Sequence, residues 1–464
     1  MIGGRRTEVG AQHVAYHQSR FRLPLTRRAR HLAIACLATV AATVFVGSNP
    51  MLVGGNAVSS ASTCSPSHLV TITIPSDGDI PAQWLNYSGP PRANVLLPAC
   101  YNPSQRYPLL VMLNGLSQNY NDYVTEGLIP AFDGLNAIVV MPEGGSGWYA
   151  DWWNDGQRGD PAWESYELNK VIPTILARYP ILPQRQYHAI GGLSMGGLGA
   201  TYLGGRLPGF FGSVASLSGF VDLKWNSLNH NSPVAPTLVD LAMGLTSQPA
   251  VNELIDGGIP TLETVLAGDY KLYPVLGPPD GFYFDGHNPT SLAMNLQQTR
   301  VFESTGTGFP SSAGLAAIKA SPASAEGIAV GSAEESAIIY PMNDGYHTAL
   351  TGAGVDVTFQ VHSGGHDNPD FMNEIKAMVA WGLFKPVNTH PTSWANDTVA
   401  TSGQLWDISY RFDQPPSQVV QFRQKGNSLS ISAAGSDVTI RTNRGCVIKT
   451  TTPATIQILS GNCR

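Results

Sequence analysis

The chain has 464 residues, 43% of them hydrophobic and 13% charged. That length suits two or three domains, and so low a charge content excludes a chain held open by self-repulsion. Setting aside the seven arginines and the lone Glu8 of the first thirty residues reduces 27 basic and 33 acidic side chains to 20 and 32, a balance of −12. Such a surface repels phosphate backbones and argues against nucleic acid as a partner.

Taken in chain order, the first element is a leader. The arginines from Arg5 to Arg30 precede an apolar run, Leu32–Val46, and then the small-residue stretch Asn56–Ser62. Basic flank, hydrophobic segment and small residues in that order predict a secretory leader over residues 1–61, with export to the medium or cell envelope. A permanent anchor is the weaker reading, because the run falls short of the ~20 residues that span a bilayer. Four cysteines follow the leader: Cys64, Cys100, Cys446 and Cys463. They form no CxxC pair, so disulfides are expected rather than zinc. The favoured pairing is local, Cys64 with Cys100 and Cys446 with Cys463, each bracketing its own strands.

Residues 62–388 read as an α/β domain. Short apolar runs at 109–113, 137–141, 187–190, 214–217, 328–330 and 355–361 suit strands buried on both faces of a mainly parallel sheet. The segment Trp163–Tyr179 spaces Leu168, Val171, Ile172, Ile175 and Leu176 as a helix does. The stretch from about 223 to 321 is rich in glycine and proline and reads as an insertion over the sheet. Beyond Pro386 the pattern alternates with period two, which predicts a small all-β domain over residues 395–464. A wall- or carbohydrate-binding module and a plain structural cap are both open for it.

The chemistry concentrates at Gly192-Leu-Ser194-Met-Gly196, a GxSxG pattern between a strand and a helix-forming run. A sharp strand-to-helix turn needs glycine on both sides and lifts the serine hydroxyl above the sheet. Ser194 is therefore the candidate nucleophile. A serine needs a base, and of eleven histidines His366 lies in a glycine-rich loop just past the last predicted strand. The acid should follow the preceding strand. Glu334 is chosen, three residues past Gly331, with Glu335 and Asp344 open as alternatives. The oxyanion hole needs two backbone N–H groups. Met195 supplies one, and Leu116, in the loop after the strand at 109–113, is the candidate for the other. No metal motif, P-loop or dinucleotide fingerprint occurs, so no cofactor is expected.

These residues resemble the esterase D-like α/β-hydrolase family, and within it the antigen 85 mycolyltransferases. The resemblance spans roughly residues 107–371. It rests on Leu113-Asn-Gly-Leu116, Val140-Met-Pro-Glu-Gly-Gly145, Tyr149-Ala-Asp-Trp152, Trp163-Glu-Ser-Tyr166 and Gly192-Leu-Ser-Met-Gly196. It implies Ser194 as nucleophile, His366 as base, and Leu116 and Met195 as oxyanion donors. The mycolyltransferases carry aspartate and arginine where this chain has Asn114 and Ser117. Their acid sits on a helix, which keeps Glu335 open.

The expected function is hydrolysis of carboxylic esters by an exported serine esterase through an acyl-enzyme. The alternatives are a cell-envelope acyltransferase that delivers the acyl group to a sugar hydroxyl, and a catalytically inactive wall-binding protein. The expected partners are an acyl ester, including an envelope lipid or glycolipid, and cell-wall carbohydrate at the C-terminal domain.

Overall fold

The computed structural model describes residues 65–458 apart from 86, 117, 225–274 and 279. The expected leader, Cys64, Cys463 and the middle of the expected insertion lie outside the described residues.

The strands of the first domain are β1 (His68–Thr73), β2 (Arg92–Leu97), β3 (Leu109–Leu113), β4 (Ile138–Pro142), the short pair β5 (Asp151–Trp152) and β6 (Gly159–Ala162), β7 (His188–Leu193), β8 (Ser213–Leu217), β9 (Arg300–Gly306) and β10 (Asp356–His362). Eight of them form one sheet in the order β1-β2-β4-β3-β7-β8-β9-β10. The pairs from β4 through β3, β7, β8 and β9 to β10 are parallel, while β2 runs antiparallel to both its neighbours. This is the α/β-hydrolase fold.

Alternation along the strands divides the core in two. Leu109, Val111 and Leu113 of β3, with Ile138 and Val140 of β4, join one apolar cluster, whereas Leu110, Met112, Val139 and Met141 join the other. Side chains of a strand alternate between faces, so a strand covered on both sides must be apolar throughout. The helices that cover the sheet include α1 (Asp122–Thr125), α2 (Trp163–Tyr166), α3 (Ile172–Arg178), α4 (Met195–Arg206), α5 (Phe282–Asp285), α6 (Ser312–Ala320), α7 (Ser324–Glu334), α8 (Tyr340–Gly352) and α9 (Asn368–Trp381). Helix α4 is buried at every position, and its glycines allow that depth. A Cβ on Gly199 would collide with the Tyr149 ring, and one on Gly204 with Val214.

Two expectations fail here. Residues 328–330 are not a strand but the middle of α7, within Ser324-Ala-Glu-Gly-Ile-Ala-Val-Gly-Ser-Ala-Glu334. A three-residue apolar run among small residues cannot separate the two periods. The strand paired with β10 is β9, which lies inside the stretch read as an insertion. Its buried Glu303, Ser304 and Thr305 disguise it as a loop.

The C-terminal region forms two four-stranded antiparallel sheets. One joins β11 (Ser393–Thr398), β14 (Val420–Lys425), β15 (Ser428–Ile431) and β18 (Ala454–Gln457). The other joins β12 (Ser402–Leu405), β13 (Ile408–Phe412), β16 (Asp437–Thr442) and β17 (Val447–Thr451). Inward residues such as Tyr410, Phe412, Phe422, Leu429 and Ile440 form its core. This region is bonded to the sheet domain through buried polar groups. Asn295 donates to the Asp397 carbonyl and accepts the Asp397 N–H, and Asn396 Nδ2 donates to the Gly205 carbonyl. Arg206, at the end of α4, donates Nε to Glu164 at 2.6 Å, Nη1 to the Tyr410 hydroxyl and Nη2 to the Ser402 carbonyl.

Burial alone would raise the Glu164 carboxyl, but Arg206 and His287 outweigh it and hold the group down at about 2. Removing only the cation leaves a buried, uncompensated carboxylate. Arg206→Met is therefore expected to lower unfolding stability by about 3–5 kcal/mol, read as a fall in the urea midpoint with an unchanged slope. Because the folded carboxyl lies below its unfolded value, this stabilisation is present above about pH 4.5 and is lost as pH falls toward 2.

Candidate active site

Ser194 stands between β7 and α4 with φ 54° and ψ −119°, a conformation rare for a residue bearing a side chain. The flanking glycines explain how the turn closes. A Cβ on Gly192 would collide with the Gly196 carbonyl, and one on Gly196 with the Leu113 carbonyl. The strained turn is tied into the sheet on its other side: the Ser194 N–H donates to the Leu217 carbonyl, and the Phe220 N–H donates to the Ser194 carbonyl. A helix N-terminus lies directly behind the hydroxyl and favours negative charge there.

His366 follows the edge strand β10. Its Nδ1 lies 2.9 Å from Glu335 Oε2, and the Glu335 side chain is fully buried. This corrects the choice of Glu334: it is the alternative, Glu335, that bonds the imidazole. The reason lies in α7. The His366 N–H donates to the Gly331 carbonyl at 2.9 Å, and a Cβ on Gly331 would collide with the His366 backbone. Residues 334 and 335 both lie about one helical turn beyond residue 331, but the fold buries Glu335 against His366 and leaves Glu334 part-exposed. At Glu335 the helix widens into a π-turn, Glu335–Ile339, before continuing as α8. Asp344 is placed on α8, beyond that turn.

The other oxygen of Glu335 is held from three sides. Oε1 accepts from Ser218 Oγ at 2.8 Å, Thr305 Oγ1 at 2.6 Å and the Gly306 N–H at 2.7 Å. Ser218 follows β8, and Thr305 and Gly306 end β9. Neighbouring strands β7, β8, β9 and β10 thus bring Ser194, Ser218, Thr305 and His366 to one end of the sheet. Ser218 and Thr305 were not singled out from the sequence. Ser218 lies just past the end of β8 and Thr305 within the last residues of β9, a strand hidden in the sequence.

Burial disfavours the charged form of His366, but the Glu334 and Glu335 carboxylates outweigh it and raise the imidazole from 6.5 to about 9. A general base must be neutral to accept a proton. The kcat/KM of an ester substrate is therefore expected to rise with pH along an acid limb displaced above 6.5 toward 9, a limb read from a pH–rate profile of the free enzyme.

Leu116 and Met195 come from the two segments that cross at this turn. Met195 is the first residue of α4 and is buried; Leu116 packs partly into the core from the loop after β3. That loop is stitched in place by neighbours. The Gly115 N–H donates to Gln118 Oε1 at 2.6 Å, and the Tyr149 hydroxyl donates to the Asn114 carbonyl at 2.9 Å. Asn114 itself is buried. Its Nδ2 donates to the Gly115 and Gly145 carbonyls and its Oδ1 accepts the Gly144 N–H. The residue is committed to joining the loops after β3 and β4. Trp148, Tyr149 and Trp152 are buried in the core, with Trp148 edge-on to Phe220 beside the serine turn.

Residues 87–268 match the family model described as "Putative esterase". The matched stretch holds Leu116, Ser194 and Met195, while Glu335 and His366 lie beyond it. The chain is 31% identical over 222 residues to Esterase Rv1288 of Mycobacterium tuberculosis, a match covering 45% of this chain and 48% of that protein. It is 33% identical over 144 residues to the diacylglycerol acyltransferase/mycolyltransferase Ag85C of Mycobacterium leprae, covering 28% of this chain and 39% of that one. Among solved structures, Mycobacterium tuberculosis MPT51 aligns with 70% of this chain and all of its own at a TM-score of 0.46 and 18% identity. The chain spans about half the length of the esterase relative it matches.

Proposed function

We propose that the protein is a serine hydrolase of carboxylic esters. The observation that carries this reading is the hydrogen-bonded pair of His366 and buried Glu335, placed at the same end of the sheet as the strained Ser194 turn. In the proposed cycle His366 takes the proton of Ser194 as its oxygen attacks the ester carbonyl. The Leu116 and Met195 N–H groups receive the developing oxyanion. The alcohol leaves with the proton from His366, and water, activated by the same imidazole, releases the acid from the acyl-enzyme.

A second reading has the same first half. Transfer of the acyl group to a sugar or other alcohol is supported by the similarity to the acyltransferase Ag85C. The two diverge only in what reaches the acyl-enzyme. We assign the protein to the exterior or cell envelope, on the leader read over residues 1–61, and its four post-leader cysteines to two disulfides. A polysaccharide contact through residues 395–464 belongs to the same proposal.

The deciding experiment is turnover of p-nitrophenyl esters of increasing chain length, with and without an alcohol acceptor such as trehalose. Free acid as the product at every acceptor concentration supports the hydrolase. An acylated acceptor formed faster than free acid moves the assignment to transfer. The absence of turnover on every ester would remove both and leave the binding protein.

A further inference from the structure

A second imidazole–carboxylate pair lies behind the first. His362, at the end of β10, places Nε2 at 2.9 Å from Glu374 Oε1, and its Nδ1 lies 2.9 Å from the Ser363 carbonyl. With Glu374 ionised, the carboxylate and the carbonyl can only accept, so both ring nitrogens face acceptors and the arrangement favours the imidazolium. The same Glu374 oxygen lies 3.0 Å from Ser218 Oγ, the hydroxyl that also reaches Glu335 Oε1 at 2.8 Å. Glu374 is buried on α9, whereas the His362 side chain remains 26% exposed. A continuous chain of contacts therefore runs from solvent to the site: His362, Glu374, Ser218, Glu335, His366.

We infer that Glu374 and His362 are positioning residues for the catalytic pair, acting through Ser218 to fix Glu335 and the charge that His366 experiences. The inference rests on the triad reading above. Ser218 has one hydroxyl proton and two carboxylates to receive it. With His362 protonated, Glu374 is already compensated by a cation, so the Ser218 proton is free to serve Glu335. Without His362, the buried Glu374 charge competes for that proton and loosens the anchor of Glu335. Burial disfavours the His362 cation but Glu374 outweighs it and raises the imidazole to about 9, whereas burial, with Glu335 nearby, outweighs His362 and raises Glu374 to about 6. The titratable and charged groups around the pair are Asp370 and Asp367 at the start of α9, Glu334 and Glu335 from the helix opposite, and His366.

The two ends of the pair act oppositely on His366. Glu374→Gln removes an anion that stabilises the His366 imidazolium, so the acid limb of kcat/KM moves to lower pH. His362→Gln keeps an N–H donor toward Glu374 but removes the compensating cation, so the limb moves to higher pH. In both variants kcat at the plateau falls by about tenfold to 100-fold through misplacement of the base, while KM stays within about twofold.

Full-length wild type, Ser194→Ala, Glu374→Gln and His362→Gln are to be compared in ester turnover across pH, with thermal melting alongside. Opposite shifts of the limb with lowered kcat establish the positioning role. Wild-type kcat and limb in both variants would overturn it, as would shifts in the same direction. Activity that survives Ser194→Ala would instead overturn the triad reading, and so the two failures are distinguishable. Should Glu374→Gln not fold, His362→Gln at the part-exposed end decides alone by the direction of its shift.

Discussion

Ser194→Ala is expected to reduce kcat on a p-nitrophenyl ester by roughly 10⁵–10⁶-fold while leaving the fold intact. The magnitude follows from what is lost. Without the hydroxyl there is no acyl-enzyme, and only the oxyanion donors and substrate positioning remain to favour attack by water. The fold should survive, because the groups that close the turn are backbone and glycine. The N–H of residue 194 bonds to Leu217, its carbonyl accepts from Phe220, and the clearance at Gly192 and Gly196 does not involve the hydroxyl. The check is twofold: steady-state turnover, and labelling of Ser194 by a fluorophosphonate located by peptide mass. A variant that retains more than a hundredth of wild-type turnover with an unchanged melting temperature would place the chemistry elsewhere.

The second large effect is expected at Glu335, in contrast with its neighbour. Glu335→Gln should lower kcat by about 10⁴-fold. Ser218, Thr305 and the Gly306 N–H all converge on Oε1, so a glutamine would keep its oxygen there and turn its NH₂ toward His366 Nδ1. That forces Nδ1 to accept and leaves the proton on Nε2, the nitrogen a general base must keep free. Glu334→Gln leaves every one of these bonds in place. It removes only a nearby charge, so kcat should stay within about threefold, with the acid limb displaced to lower pH. Reversal of this contrast, with Glu334→Gln inactive and Glu335→Gln active, would return the acid to the neighbouring position.

Other substitutions at this end of the sheet should act through geometry. The close approach of Gly331 to residues 365–366 is what carries α7 across the end of β9 and delivers Glu335 to His366. The pairing of Glu335 with His366 is therefore set by a backbone contact between two segments some thirty residues apart, and a side chain at position 331 would break it.

Much of this architecture was legible in the sequence because it is local. Continuous apolar runs such as Leu109–Leu113 and Ile138–Val140 must be covered on both faces, and that requirement alone implies an α/β sheet. The GxSxG turn is specified within five residues, since a sharp strand-to-helix turn admits only glycine at Gly192 and Gly196. The histidine could be placed from its loop beyond the last strand. The alternating pattern after Pro386 marked the second set of sheets.

What the tertiary structure alone decided is everything that depends on which neighbours surround a side chain. Strand β9 is polar in sequence, yet Glu303, Ser304 and Thr305 are buried where a loop would expose them, and Thr305 holds Glu335. Glu334 and Glu335 are adjacent in sequence, and only the fold buries Glu335 in a hydrogen bond to His366 while leaving Glu334 part-exposed. The chain from His362 through Glu374 and Ser218 joins residues 218, 362 and 374, whose association no spacing announces. Local sterics and periodicity are written in adjacent residues. The partner of a buried charge is written only in the fold, because burial makes a distant hydrogen bond obligatory without saying who supplies it.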